Sequence, residues 1–490
     1  MKVRTVAALA ALGMTFTSLS VWSLTDPDER VRPDDQGRWV DRRTPPPETS
    51  DDSASFALRG TLGVTGRLAH SSLASDRDSE TFVLVTVKAD DRGGARRAER
   101  HLSIVLDRSG SMAGKRLENA VAAARGAVER LNDDDTVSVV EYSTSARELV
   151  PATRLDASSR FRISSEIGRL TASGDTCISC ALDTTLGTMR GQRGAVERVL
   201  LISDGEATTG IRDIDGMRRV ASSLGNMGAT VTTIGVDVDY NERMMAAIAR
   251  ETNGRHYFVS SPEGLARIFD EELRGLERTV ARDARLELEF APGVELEEIV
   301  DRTFDRQSSR AVVPLGAFAA GEERSVLARV RIPRGAAGER DVVTARIAYD
   351  DLGSGSRTRD EARLAVALTS DGSSATFDPI VKERVDRSGT VTALDEANRL
   401  FESGDAEAAR RRVKDELDKV RTGRSAAVAN APAPAKRGLD DNFARQEAAL
   451  GSALGGFAEP PPAAARDAVA LKKSKSVLKQ NQAEASDLAR

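Results

Sequence analysis

Several residue types are scarce in this chain of 490 residues, and each scarcity narrows what it can be. Aromatic residues make up 4%, so the cores have to be mostly aliphatic. Histidine occurs three times, at His70, His101 and His256, which limits imidazole-based catalysis and zinc binding. Cysteine occurs twice, and both copies sit in one pentapeptide, TCISC, as Cys177 and Cys180. There is no excess of positive charge either. Lys and Arg total 71 against 76 Asp and Glu, a net charge of −5 with the signs interspersed. That rules out the basic field that nucleic-acid binding needs. Motifs are missing too: MAGKR (112–116) lacks the glycine spacing and the Ser/Thr after Lys of a phosphate loop, and no GxSxG elbow occurs.

With 40% apolar and 30% charged residues, the remainder reads as a globular protein of two or three domains joined by linkers. The first 24 residues carry Lys2 and Arg4 and then an uncharged stretch, which reads as a secretion signal or an uncleaved membrane anchor through residues 5–24. An extracytoplasmic location follows from either: secreted, periplasmic or anchored with the domains outside. Residues 25–54, rich in Asp, Arg and Pro, read as a linker.

Between residues 100 and 280, apolar strand patterns alternate with helical ones. HLSIVLD (101–107), DTVSVVEY (135–142), ERVLLIS (197–203) and TVTTIGVD (230–237) are strand-like, and Leu117, Val121, Ala124, Val128 and Leu131 mark a helix face. Strands apolar on both faces and separated by helices predict a mostly parallel sheet covered on both sides. From 281 to 370 the period becomes two: Leu286, Leu288 and Phe290, then Val343, Ala345, Ile347 and Tyr349, then Leu364, Val366 and Leu368. That predicts an antiparallel β-sandwich. Two β patterns at 55–90 have no partners upstream and are expected to complete it, which makes the α/β region an insertion. A helical hairpin is expected over 388–422; it resembles one tetratricopeptide unit and cannot bury its apolar face alone. Residues 423–490 read as a low-complexity, partly helical tail whose LKKSKSVLK suits solvent or an anionic membrane surface.

In SIVLDRSGSM the polar residues come where a strand runs out and a helix starts. Open α/β sheets bind ligands beyond the carboxyl ends of their strands. Asp107, Ser109 and Ser111 are therefore expected at such a rim, together with Asp204 at the end of LLISDGE and Thr176 at the head of a helix pattern. Carboxylates and hydroxyls from three loops make a hard-oxygen site suited to Mg2+, or to Mn2+ or Ca2+ in its place.

DxSxS at 107–111, the threonine loop and Asp204-Gly205, in that order, resemble the metal-ion-dependent adhesion site of von Willebrand factor type A domains. With LEFAPGVELEEI after it, the wider region resembles the inter-alpha-trypsin-inhibitor heavy chains and bacterial relatives labelled calcium-activated-chloride-channel-like. The resemblance implies a Rossmann-like domain over 100–280. Ser109 and Ser111 would ligate the metal, Thr176 would do so directly or through water, and Asp107 and Asp204 would hold coordinated waters. It further implies a vacant coordination place for an acidic residue of a partner protein, and hence cation-dependent adhesion without enzymatic activity. Two rival readings are an assembly or transporter accessory factor and, with so few histidines, a metal-dependent hydrolase. Cys177 and Cys180 are close enough for a disulfide; a thiol–disulfide switch and a zinc site are the alternatives. His101 and His256 are expected to be surface or packing residues.

Overall fold

A computed structural model of the chain describes residues 31–33, 39–41, 53–91, 99–190, 194–204, 206–236, 241–259, 262–371, 375–457 and 468–489. It divides into two compact units, Met1–Glu48 and Thr49–Arg490. In the first, β1 (Val31–Pro33) pairs antiparallel with β2 (Trp39–Asp41). These short strands fall in the stretch read as a linker. The signal or anchor expected over 1–24 lies outside the described residues. Among the described residues no helix is long and apolar enough to cross a membrane.

The second unit begins with β3 (Ser55–Leu58), β4 (Leu62–Leu68), β5 (Ser72–Ala74) and β6 (Ser79–Ala89). The chain then enters the α/β region: β7 (Arg100–Asp107), α1 (Lys115–Arg130), β8 (Thr136–Tyr142), β9 (Ala146–Arg154), α2 (Ala157–Ile167), α3 (Ile178–Met189), β10 (Val196–Ser203), α4 (Ile214–Asn226), β11 (Thr230–Val236), α5 (Glu242–Glu251), β12 (His256–Val259) and α6 (Pro262–Glu277). The sheet order is β12-β11-β10-β7-β8-β9, parallel except for β9, which runs antiparallel to β8. Every residue of β7, β10 and β11 is buried, as the uninterrupted apolar runs required. Alternation along β7 serves two layers. Leu102, Ile104 and Leu106 pack with Leu117, Ala124 and Val128 of α1. Val105, on the opposite face, packs with Ile178 and Leu182 of α3 and Met217 of α4. Helix starts are capped locally: the Asp156 carboxylate accepts from the Ser159 amide and the Ser159 hydroxyl from the Asp156 amide, while Asp213 and Asn241 cap α4 and α5.

The strands that follow are β13 (Thr279–Phe290), β14 (Glu295–Val300), β15 (Asp305–Gln307), β16 (Arg310–Ala319), β17 (Glu323–Ile332), β18 (Gly338–Asp351) and β19 (Ser356–Thr369). They build two sheets, β15-β16-β13-β18-β19-β5 and β14-β17-β6-β4-β3. β6 pairs with β17 over ten residues, from Ser79 against Ile332 to Lys88 against Glu323. The early strands thus sit in the same sandwich as the late ones, and the α/β domain is inserted between them. Val64, Val83, Val85 and Val87 from one sheet meet Leu286, Leu288, Val313, Ile347 and Leu364 from the other. The outward faces carry paired charge, with Arg346 between Glu287, Glu289 and Glu361.

The C-terminal region is more ordered than its composition suggested. α7 (Pro379–Glu402) and α8 (Ala406–Asn430) form the expected hairpin, longer at both ends than 388–422. α9 (Ala433–Gly456) and α10 (Ala468–Leu488) occupy much of the stretch read as tail. Leu394, Ala397 and Phe401 of α7 pack with Val413, Leu417, Phe443, Leu450 and Leu478. The apolar face that one hairpin cannot bury is buried by the next two helices. Val381 also docks on Leu84 and Leu327 of the five-stranded sheet, and buried Arg384 bonds Asp301 and Ser325. α10 reaches back to the inserted domain, where Lys479 pairs with Glu242 at the start of α5.

Candidate metal centre

β7 carries Asp107 to the carboxyl edge of the sheet, where a 3-10 turn (Gly110–Met112) leads into α1. Asp107 has no exposed surface. One of its oxygens accepts the Ser109 amide at 2.8 Å and the other the Ser203 hydroxyl at 2.7 Å. The Ser109 and Ser111 hydroxyl oxygens lie 3.0 Å apart, and Ser111 donates to Asp204 Oδ1 at 2.8 Å. Four of the five predicted residues therefore form one hydrogen-bonded chain across the ends of β7 and β10. Gly205 lies outside the described residues.

Thr176 is buried in a loop of its own just before α3, and among the described residues no hydrogen bond joins it to the other four. That loop is tied to the serine loop by Gly110 N–H to Gly174 O at 2.9 Å and Ser173 N–H to Arg108 O at 2.7 Å. Gly174 has a φ of +80°, and a Cβ there would stand 2.7 Å from Thr144 Oγ1, so only glycine fits the crossing. The Thr176 amide donates to Thr208 Oγ1 at 2.8 Å, and its carbonyl accepts the Thr208 and Thr209 amides. Cys177 and Cys180 form a disulfide with a Cα separation of 5.3 Å, which removes the zinc alternative.

The electrostatics are one-sided. Burial pushes the Asp107 carboxyl up to about 6, with Asp204 adding to the rise and the serine hydrogen bonds opposing it. Burial also raises Asp204, which Ser111 and Arg116 partly offset. Beneath them buried Tyr142 donates to the Ile202 carbonyl at 3.1 Å, and burial, with Asp107 next in weight, raises its hydroxyl well above the usual tyrosine range. Among the described residues Arg116 is the one cation hydrogen-bonded to either carboxylate, donating to Asp204 Oδ2 at 3.0 Å and to the Ser111 carbonyl at 2.8 Å. A set of hydroxyl and carboxylate oxygens short of positive charge fits a hard divalent cation. Ser109, Ser111 and Thr176 can supply neutral oxygens to it, and Asp107 and Asp204 can orient water and the serines.

Arg116 did not stand out in the sequence, although its place on the first turn of α1, five residues after Ser111, is a usable signal. Arg108 was missed as well: it pairs with buried Glu141 at 3.2 Å and donates to Ser173 at 2.7 Å, bracing two loops. Ser203 and Thr208 carry no sequence signal beyond their nearness to Asp204.

The histidines lie elsewhere. His101 falls inside β7, where Nδ1 faces Glu197 Oε2 at 2.7 Å and Nε2 faces the Ser138 hydroxyl at 2.9 Å. This serine–histidine–glutamate row, invisible in the sequence, is buried at the amino end of the strands and leaves a substrate no access. His256 is on edge strand β12, buried, and burial lowers it to about 3. Both are packing residues. His70 faces Thr81 Oγ1 at 3.0 Å and is lowered by burial.

The family profile of the von Willebrand factor type A domain matches residues 101–271. The chain is 28% identical over 219 residues to the protein YfbK of Escherichia coli K12, covering 44% of this chain and 38% of that one. It is 28% identical over 170 residues to the mouse inter-alpha-trypsin inhibitor heavy chain H2, covering 32% of this chain and 17% of that one. The match thus spans less than half the length of either relative. Among solved structures, a von Willebrand factor type A protein from Catenulispora acidiphila superposes with a TM-score of 0.63 at 20% identity, over 76% of this chain and 90% of that one, a likeness of fold. The inserted α/β domain of this chain is a von Willebrand factor type A domain.

Proposed function

We propose that this chain is an exported binding protein whose type A domain holds a divalent cation at the Asp107–Ser109–Ser111–Thr176–Asp204 rim and, through it, engages a carboxylate of a partner protein. The observation that carries this reading is the hydrogen-bonded run Asp107–Ser109–Ser111–Asp204, with two buried carboxylates against one guanidinium. When bound, the cation supplies Lewis acidity toward an incoming carboxylate oxygen. The chain's part is to hold neutral hydroxyl oxygens at the rim while buried Asp107 and Asp204 orient them from behind. A mostly neutral ligand set leaves the ion electrophilic, which favours an acidic partner over water. An adhesive role without catalysis also agrees with a rim that no histidine approaches. The disulfide suits an oxidising compartment, in keeping with export.

The accessory-factor reading draws on the packed helices α7–α10 and on the buried Lys479–Glu242 pair that joins them to the type A domain. One experiment separates the two: pull-down from envelope extract with and without EDTA, using wild type, Ser109→Ala and a chain truncated after residue 430. Adhesion predicts capture lost with EDTA and in Ser109→Ala. Capture that survives both and fails only on truncation assigns the chain to assembly or transport.

A further inference from the structure

The Cys177–Cys180 disulfide is not needed to hold the fold's cores together, since it spans three residues. Its position is more telling than its span. Cys177 directly follows Thr176, is buried, and sits just before the first residue of α3, while Cys180 is half-buried on the first turn. The Cys177 amide donates to the Ser143 carbonyl at 2.8 Å, in the loop that follows β8. On the other side, the sulfur lies beside the loop after Asp204: a Cβ on Gly210, whose φ is +71°, would stand 2.6 Å from Cys177 Sγ and 2.4 Å from Ser179 Oγ. The same two segments are sewn together by hydrogen bonds. Thr176 O accepts Thr208 N–H at 2.9 Å and Thr209 N–H at 3.2 Å, Thr208 Oγ1 accepts the Thr176 amide at 2.8 Å, and Ser179 Oγ accepts Ile211 N–H at 3.0 Å.

We propose that this disulfide is a redox latch on the metal rim: its reduction by a dithiol loosens the turn that presents Thr176 and weakens cation binding. The inference rests on the metal-site reading above and adds its regulation. The chemistry is a thiol–disulfide exchange. A thiolate of the dithiol attacks the half-buried Cys180 sulfur, the S–S bond breaks, and the Cys177 sulfur leaves with the electron pair and takes a proton. The second thiolate of the reductant then displaces Cys180 from the mixed disulfide. The dithiol has given up two electrons and ends as its own disulfide, and the protein ends with two thiols.

Once unbonded, the two sulfurs have to move apart from bonding distance to van der Waals contact. Cys177 has Gly210 as a close neighbour on one side, so relief comes from displacing the 206–211 loop or from turning Cys177 and, with it, Thr176. Either motion disturbs the hydrogen bonds that hold Thr176 against the loop carrying Asp204. The latch therefore couples a sulfur pair to the geometry of two of the three loops that meet at the rim.

The test uses the full chain, oxidised, or reduced with dithiothreitol and then desalted anaerobically, with Cys177→Ser/Cys180→Ser as a second route to the open latch. Mn2+ binding is measured by calorimetry, and amide hydrogen exchange is followed over residues 206–211. The expected result is Mn2+ affinity at least about fivefold weaker in both open forms, with faster exchange in that loop. Equal affinity in the oxidised and reduced chain overturns the latch and leaves the adhesion site standing. A disulfide that resists millimolar dithiol in the folded chain also overturns it. Absence of Mn2+ binding in every form, with Ser109→Ala indistinguishable from wild type, overturns the metal site itself and the latch with it. Should the double variant fail to fold, the reduced wild type decides the matter.

Discussion

The two ends of the parallel sheet both bury polar groups, and they do so differently. At the amino end, Arg100 pairs with Asp135 at 2.9 Å, His101 with Glu197 at 2.7 Å, and Arg198 with Glu272 at 3.0 Å. Each acid there faces a basic partner on a neighbouring strand or helix. At the carboxyl end, Asp107 takes its hydrogen bonds from neutral donors, and Asp204 shares one arginine that is itself partly exposed. Burial raises both of these carboxyls. A buried cluster that balances its own charge holds strands in register, and one left short of positive charge has a use for a ligand. The contrast separates the structural polar residues of this domain from its candidate functional ones, with no reference to their types.

Breaking the amino-end balance is expected to have the largest effect. Asp135→Ala leaves the Arg100 guanidinium buried without its acid and should cost about 4 kcal/mol of stability in urea unfolding, while cation affinity of the folded chain stays unchanged. If Mn2+ affinity falls instead, the two ends are not independent. A third buried group, His256, links stability to pH. Its imidazole sits at about 3 in the fold, against an unfolded value near 6.5. Between those values the unfolded chain binds a proton that the folded chain does not, so this group's contribution to stability is full above pH 6.5 and declines as pH falls toward 3. The loss should amount to a few kcal/mol, and His256→Asn should flatten the slope of unfolding free energy against pH by one proton; an unaltered slope would place the sensitivity elsewhere.

At the carboxyl end the effects are smaller and run through the ion. Mg2+ at a hundredfold excess over its dissociation constant should add about 2.7 kcal/mol to the unfolding free energy. Thermal melts should show this for wild type and not for Ser109→Ala. Asp107→Asn keeps the shape, removes the charge behind the serines, and should weaken Mn2+ binding roughly 10- to 100-fold by calorimetry. Parity with wild type would mean that Asp107 belongs with the structural acids of the other end.

Much of this was legible in the chain because burial on two faces leaves long apolar runs: β7, β10 and β11 could hardly be anything but central strands. β9 was not, because it is an edge strand with exposed Arg147, Glu148 and Pro151 among its residues. The last two helices were legible only as a partly helical tail, for another reason. Alanine-rich segments such as 433–456 have no strong apolar stripe of their own, and they become a core only where Phe443 and Leu450 meet the faces of α7 and α8. Of the site, the five oxygen-bearing residues could be named from spacing. Arg116, Arg108 and the amino-end row around His101 could not, because their partners lie far along the chain.

The order of strands and helices, the inserted domain and the identity of the rim oxygens follow from local pattern, since period, turn chemistry and strand ends act over neighbouring residues. Which charges are left unbalanced, which loops brace one another and where the Cys177–Cys180 bridge lies were decided by the folded chain. Those properties depend on desolvation and on contacts between segments tens to hundreds of residues apart, and such distances have no periodicity to read.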